Sequence, residues 1–164
     1  MPTGSILRVN HTGFTVPNLE RASAFLRDVL GFSISPTTRQ SGPAVERMIG
    51  VPGAEIDIAF ATCDYHTIEL ICYVTPRSTR EHDLRHCDTG FAHVAFEVDD
   101  VERVAAAVRA AGYRLFSEPQ VVPAGPRKGG RNVYAQGPDG IVIELQQAPA
   151  PAVIGGDITD TRRG

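Results

Sequence analysis

The chain has 164 residues, 42% hydrophobic and 21% charged, a balance that predicts a packed globule of one domain or of two small halves sharing a core. Its formal net charge of −3 gives nucleic acid no electrostatic reason to bind, and no apolar run reaches the roughly 18 residues a membrane span needs. Met1-Pro-Thr-Gly-Ser-Ile carries no basic stretch followed by an apolar one, so no secretory leader is expected; Cys63, Cys72 and Cys87 form no Cys-x-x-Cys pair and read as reduced packing thiols of a cytoplasmic protein.

In chain order, residues 1–5 are expected to be a loose end. Ile6 to Val16 reads as a strand with His11 near its middle. Pro17 stops it, and Asn18 is placed to cap a helix over Leu19 to Leu30 that Gly31 ends. Phe32 to Ser35 reads as a short strand. Pro36 to Gly53 reads as a long loop with a helical turn around Val45 to Ile49. Ile56, Ile58 and Phe60 alternate as a strand, and Thr67 to Val74 as another. Thr75 to Asp88 is polar and expected to connect two halves.

Gly90 to Val98 opens the second half as a strand, with His93 turned away from Val94 and Phe96. Asp99-Asp100 caps a helix over Val101 to Ala111, closed by Gly112. Tyr113 to Ser117 reads as a strand and Glu118 to Arg131 as a loop. Asn132–Ala135 and Ile141–Gln147 read as a hairpin around Gly137-Pro138-Asp139-Gly140. Residues 148–164, opening Ala-Pro-Ala-Pro-Ala, read as a flexible tail.

The halves repeat. At the 82-residue offset between His11 and His93, Phe14 meets Phe96, Val16 meets Val98, Glu20 meets Glu102 and Arg21 meets Arg103. A second register sets Ile68-Glu69-Leu70 on Ile143-Glu144-Leu145. Each half therefore reads as strand, helix, then three strands, with a histidine on the first strand and a glutamate on the last. Approximate two-fold symmetry would bring His11, Glu69, His93 and Glu144 to equivalent places. Two imidazoles and two carboxylates suit one divalent ion such as zinc, nickel, cobalt, manganese or iron(II). Both glutamates alternate against apolar neighbours, so each needs a cation or hydrogen bonds if buried.

Around this set, Tyr73 and Phe91 share the ligands' strand parity and are candidate pocket walls. The Gly-rich loop with Arg127, Lys128 and Arg131 lacks the G-x-x-x-x-G-K-[ST] spacing of a nucleotide-binding loop, and is a candidate cover for a substrate carboxylate or phosphate, with Tyr134 beyond it as a further substrate contact. His82 and His86 sit four apart without a zinc-protease motif, and are expected on a surface loop.

The segments His11-Thr-Gly-Phe-Thr-Val-Pro, Phe25-Leu-Arg-Asp-Val-Leu-Gly31, Gly90-Phe-Ala-His93-Val-Ala-Phe and Pro138-Asp-Gly-Ile-Val-Ile-Glu144 resemble the vicinal oxygen chelate superfamily over residues 6–147. That superfamily includes glyoxalase I, methylmalonyl-CoA epimerase, extradiol dioxygenases and antibiotic-resistance proteins. The resemblance implies an α+β fold of two βαβββ modules (6–75 and 89–147) forming a cupped eight-stranded mixed sheet. It also implies one divalent metal ion held by His11, Glu69, His93 and Glu144. The ligand pattern is closest to glyoxalase I and the epimerase. It implies a lyase or isomerase that moves a proton through a metal-stabilised enolate or enediolate, with Glu144 favoured over Glu69 as the base. A small-molecule substrate and a homodimer are the expected partners. Two alternatives stay open: an iron(II)-dependent extradiol-type dioxygenase, which Gly125-Pro-Arg-Lys-Gly-Gly disfavours where ring-cleaving members carry a histidine, and a non-catalytic antibiotic-binding protein.

Overall fold

The computed structural model describes residues 5–77 and 84–150. His82, residues 1–4 and most of the expected tail (151–164) lie outside that range. The expected α+β pair of modules is present, each built on its own mixed sheet.

Module one contains β1 (Thr12–Thr15), α1 (Leu19–Ala24), β2 (Ser33–Ile34), β3 (Thr38–Ser41), α2 (Pro43–Ile49), β4 (Glu55–Cys63) and β5 (His66–Thr75). Its sheet runs β1-β5-β4-β2, with β3 also pairing to β4; β1 and β5 are parallel and the other pairs antiparallel. Module two contains β6 (Val94–Glu97), α3 (Val101–Ala110), β7 (Arg114–Leu115), β8 (Gln120–Val121), β9 (Arg131–Gln136) and β10 (Val142–Gln147). Its order, β6-β10-β9-β7 with β8 on β9, repeats the first, down to the parallel β6–β10 pair.

The caps form as their residues dictate. Asn18 Oδ1 accepts from the Arg21 N–H at 2.9 Å, and Asp100 Oδ1 from the Arg103 N–H at 3.0 Å. α1 does not continue as a plain helix: Phe25–Val29 widens into a π-helical turn, and Gly31 then leaves it at φ 76°.

Four expectations need correction. The first strand is shorter than Ile6–Val16, and His11 stands just ahead of it. β1 pairs only with β5, and its register opens at Thr12 opposite Ile68, although β5 itself begins two residues earlier at His66. His93 likewise stands just ahead of β6, whose register opens at Val94 opposite Ile143. In the supposed loop 36–53 the expected helical turn is present as α2, but β3 was not expected. β3 has no apolar alternation; Arg39 fastens it instead, through Nε and Nη2 to Asp57, both at 2.7 Å, and through Nη1 to Glu55 at 2.9 Å. β8 is a two-residue strand inside the expected 118–131 loop.

One core lies between the modules. Val16, Ala22, Phe25, Leu26, Ile68 and Leu70 from module one join Val101, Val108, Val133, Ile143 and Leu145 from module two. Phe25 meets Tyr113 edge to face at 4.6 Å, Phe32 meets Phe96 at 5.6 Å, and Arg21 pairs with Asp139 across the junction. Asp139 sits at φ 59° in the turn between β9 and β10, a left-handed position that aspartate tolerates better than most side chains. Cys63 and Cys72 are half-buried as expected, whereas Cys87 is exposed.

Candidate metal and substrate site

Strand alternation decides where the ligand candidates point. Ile68 and Leu70 are fully buried in the shared core, so Glu69 projects from the opposite face of its sheet. Ile143 and Leu145 do the same to Glu144. The two histidines follow the same rule by one residue: His11 has the parity of Gly13, and Gly13 lies opposite Glu69 in the β1–β5 register; His93 has the parity of Ala95, opposite Glu144. A Cβ on Gly13 would stand 3.6 Å from Glu69 Oε2, so glycine leaves room for the carboxylate there.

Two matched pairs result. His11 Nε2 lies 3.2 Å from Glu69 Oε2, and His93 Nε2 lies 3.2 Å from Glu144 Oε2. Asn10 Oδ1 is 2.8 Å from His11 Nδ1; the tautomer with the proton on Nδ1 donates to it and leaves Nε2 free to ligate. Each pair stands on the sheet face turned from the common core. Among the described residues of one chain, no group of three or more histidine, cysteine, aspartate or glutamate side chains comes close enough to share an ion. The donor chemistry therefore fits a divalent cation, but each chain offers it as two separate halves.

The halves differ in their surroundings. Glu144 is buried, with only 6% of the residue exposed. Burial raises its carboxyl, but hydrogen bonds from Gln146, Asn132 and Tyr134, together with nearby His93, outweigh that and hold it below the usual carboxylate range. The Asn132 amide reaches Glu144 Oε1 at 2.8 Å. In return, burial and the Glu144 charge push the Tyr134 phenol up. Glu69 has Phe60 opposite it in the β4–β5 register, and Ile58 and Ile71 occupy the positions equivalent to Asn132 and Gln146. Its side chain is more open, at 17% against 7% for that of Glu144.

The remaining candidates divide. Phe91 lies 6.3 Å from His93, and Tyr134 meets the same ring edge-on at 5.1 Å, so both border the second pair. Tyr73 packs with Val45, Ile49, Ile56, Ile58 and Ile71 in a small second core where α2 covers one end of the first sheet. Arg127 spans to Glu97 at 2.6 Å, on the Glu144 face, while Lys128 is exposed on the loop. Arg131 is a correction: it shares the inward parity of Val133, so it turns to α3 and pairs with Glu102 at 2.5 Å. Sequence reading missed Asn132 and Gln146, although each stands two residues from a named candidate on the same face. It also left His86 on an unremarkable surface loop, whereas its ring stacks on Phe91 at 4.4 Å.

A family model described as the Glyoxalase/Bleomycin resistance protein/Dioxygenase superfamily matches residues 8–145. The chain is 34% identical over 149 residues to a 2-epi-5-epi-valiolone epimerase of an Actinomyces species, covering 88% of this chain and 81% of that one. It is 33% identical over 141 residues to a lactoylglutathione lyase of Haemophilus influenzae, covering 85% and 91%. A glyoxalase family protein from Bacillus cereus superposes with a TM-score of 0.80 at 23% identity, over 91% of this chain and 99% of that one.

Proposed function

Since the chain belongs to the glyoxalase/bleomycin resistance protein/dioxygenase superfamily, we propose that it is a divalent-metal-dependent isomerase or lyase that moves a proton on a small oxygenated substrate. The observation that carries this reading is the duplicated histidine–glutamate pair, 3.2 Å apart in both modules and in equivalent registers. Similarity to an epimerase and to a lyase supports the reaction class.

Because both pairs face away from the shared core, a four-donor set requires two copies. His11 and Glu69 of one protomer meet His93 and Glu144 of the other, giving two sites per dimer. Ile6, Leu7 and Val9, just ahead of His11, are 93%, 91% and 76% exposed. An apolar run of this kind beside a ligand suits a surface that a neighbouring copy covers.

A divalent ion bound there would supply Lewis acidity, drawing charge from two adjacent substrate oxygens and making the neighbouring C–H acidic. The chain's own residues divide the remaining work. Glu144, held by Asn132, Gln146 and Tyr134, is a poor proton acceptor and a firm ligand. Glu69, among apolar neighbours and with more freedom, is the better base. This reverses the preference for Glu144 drawn from the sequence. His11 and His93 offer their Nε2 atoms as ligands. Removing a proton at one carbon and returning it to the same carbon from the other side inverts a centre; returning it to the neighbour isomerises the substrate. Neither outcome consumes a further reactant.

The decisive experiment mixes two inactive proteins, His11→Ala/Glu69→Ala and His93→Ala/Glu144→Ala, under conditions that exchange subunits. Random pairing restores one intact site in half of the dimers, so about a quarter of the wild-type solvent-deuterium exchange should return. No recovery from confirmed mixed dimers would place each site within one chain and refute the shared arrangement.

A further inference from the structure

Sequence reading looked to the Gly-rich loop for a cation that could meet a substrate anion. Folding commits two of that loop's cations elsewhere, Arg127 to Glu97 and Arg131 to Glu102. Of the five arginines in module two, four sit against carboxylates, and Arg114 alone has no acidic partner among the described residues. Its guanidinium lies over the Phe116 ring instead, 4.7 Å from the ring centre.

The β7 strand decides where this cation stands. Leu115 packs against the shared core, so Arg114 and Phe116 leave the opposite face, the one that carries Glu144. The Phe116 N–H donates to the Tyr134 carbonyl at 3.0 Å, and Tyr134 in turn faces Glu144 in the β9–β10 register. Phe116 therefore stands two strand spacings, about 10 Å, across the sheet from Glu144. Arg114 faces Gln136, whose amide leaves the same side of β9 as Tyr134. His86 packs edge-on against Phe116 at 4.5 Å and holds that ring in place.

A stacked guanidinium uses its face, and its five N–H groups remain in the plane, free to meet an oxyanion. Stacking also restrains a long side chain before any ligand arrives, so less freedom is lost on binding. The remaining cation of the Gly-rich loop, Lys128, is exposed on the segment that enters β9 at Arg131, whereas Gln136 is at the strand's other end. The two cations thus flank opposite ends of β9, and only Arg114 is braced by a ring.

We propose that Arg114, with Gln136 beside it, binds a terminal oxyanion of the substrate, a phosphate or carboxylate, at the far end from the group the histidine–glutamate pairs handle. This rests on the proton-transfer reading above and deepens it to a substrate class: a compact anion whose hydroxy-carbonyl end and charged end lie about 10 Å apart at most.

The test uses three probes that share a ketone flanked by hydroxyl-bearing carbons and differ at one terminal carbon: fructose, fructose 6-phosphate and fructuronate. Calorimetric titration of the metal-replete protein should show at least one anion binding about 10- to 100-fold tighter than fructose, the worth of a hydrogen bond to a charged group. The anion that shows the preference tells phosphate from carboxylate. Arg114→Gln should collapse that ratio toward one, and Arg114→Lys, which keeps the charge without the fork, should restore part of it. Thermal melting and metal content verify that each variant folds and loads. Equal binding of all three probes by the wild-type protein overturns the proposal, as does a preference that survives in folded Arg114→Gln. A preference lost in Lys128→Gln instead overturns it too, by moving the anion to the opposite end of β9. Deuterium uptake from D2O is followed in the same samples: an Arg114-dependent preference with no uptake into any probe supports the anion contact and counts against the proton-transfer reading alone.

Discussion

Glu69 and Glu144 occupy equivalent registers yet keep different company, and their amide variants should separate accordingly. Glu144→Gln retains size but turns one oxygen into a donor facing Asn132, which is itself a donor. Metal affinity should fall by about 10- to 100-fold, since a carboxylate ligand is lost and its hydrogen-bonded shell is disrupted. Glu69→Gln disturbs no comparable network. It should keep more of its metal while losing at least about a hundredfold in deuterium exchange, the usual worth of a positioned base. Calorimetric metal titration beside proton-exchange rates measures both. Were Glu69→Gln to exchange normally and Glu144→Gln to bind metal normally but not exchange, the roles would be the reverse. Part of this geometry was legible in the sequence: the repeat put one histidine and one glutamate in each half, and alternation set the face of the glutamates, but the expected convergence of all four donors does not occur among the described residues of one chain. The inequality was not legible, because it lies in what neighbouring strands place beside each carboxylate. Asn132 faces the register of Gln146 on β9, whereas Ile58 faces Ile71 on β4.

Among the elements, the β9–β10 turn shows how local sequence answers to tertiary contact. A Cβ added at Gly137 would come within 2.8 Å of Phe25 Cε1, inside the core that joins the modules. Gly137→Ala should therefore cost about 1–3 kcal/mol by overpacking, visible as a lower urea midpoint at unchanged slope. Loss of activity without loss of stability would contradict this packing role. β3 depends on charge instead. The Arg39 guanidinium, through its hydrogen bonds and its charge, holds the Asp57 carboxyl below the usual range against the opposing effect of desolvation. A carboxyl depressed on folding stabilises the protein above its unfolded value of about 3.9 and loses that contribution as pH falls through the folded one. Arg39→Ala should melt lower than wild type at pH 7, and the gap should close below about pH 4. A gap that persists in acid would show that Arg39 acts through its alkyl stem rather than its charge. The same ion pairs explain why β3 escaped sequence reading: Thr-Arg-Gln-Ser has no apolar period, and its partners stand in a later strand.

For the whole molecule, the repeat announced two modules but not which faces they would turn to each other. Burying the α1 and α3 sides in one core sends both histidine–glutamate pairs outward, so completing a four-donor set becomes a matter of association. Linkage then ties metal to assembly: an ion that binds only the paired state stabilises the dimer by RT ln(1 + [M]/Kd), about 2.7 kcal/mol at one hundred times Kd for each site. Removing the metal with a chelator should shift the monomer–dimer equilibrium toward monomer by about a hundredfold per site at that loading. Readdition should reverse the shift. Sedimentation velocity across a range of protein concentrations, with and without chelator, reads it directly. The His11→Ala/Glu69→Ala protein is the control, because its dimer has lost half of the donors at each junction and should respond far less to metal. Association that ignores metal in the wild-type protein, while the protein still binds it stoichiometrically, would mean that each chain closes its own site.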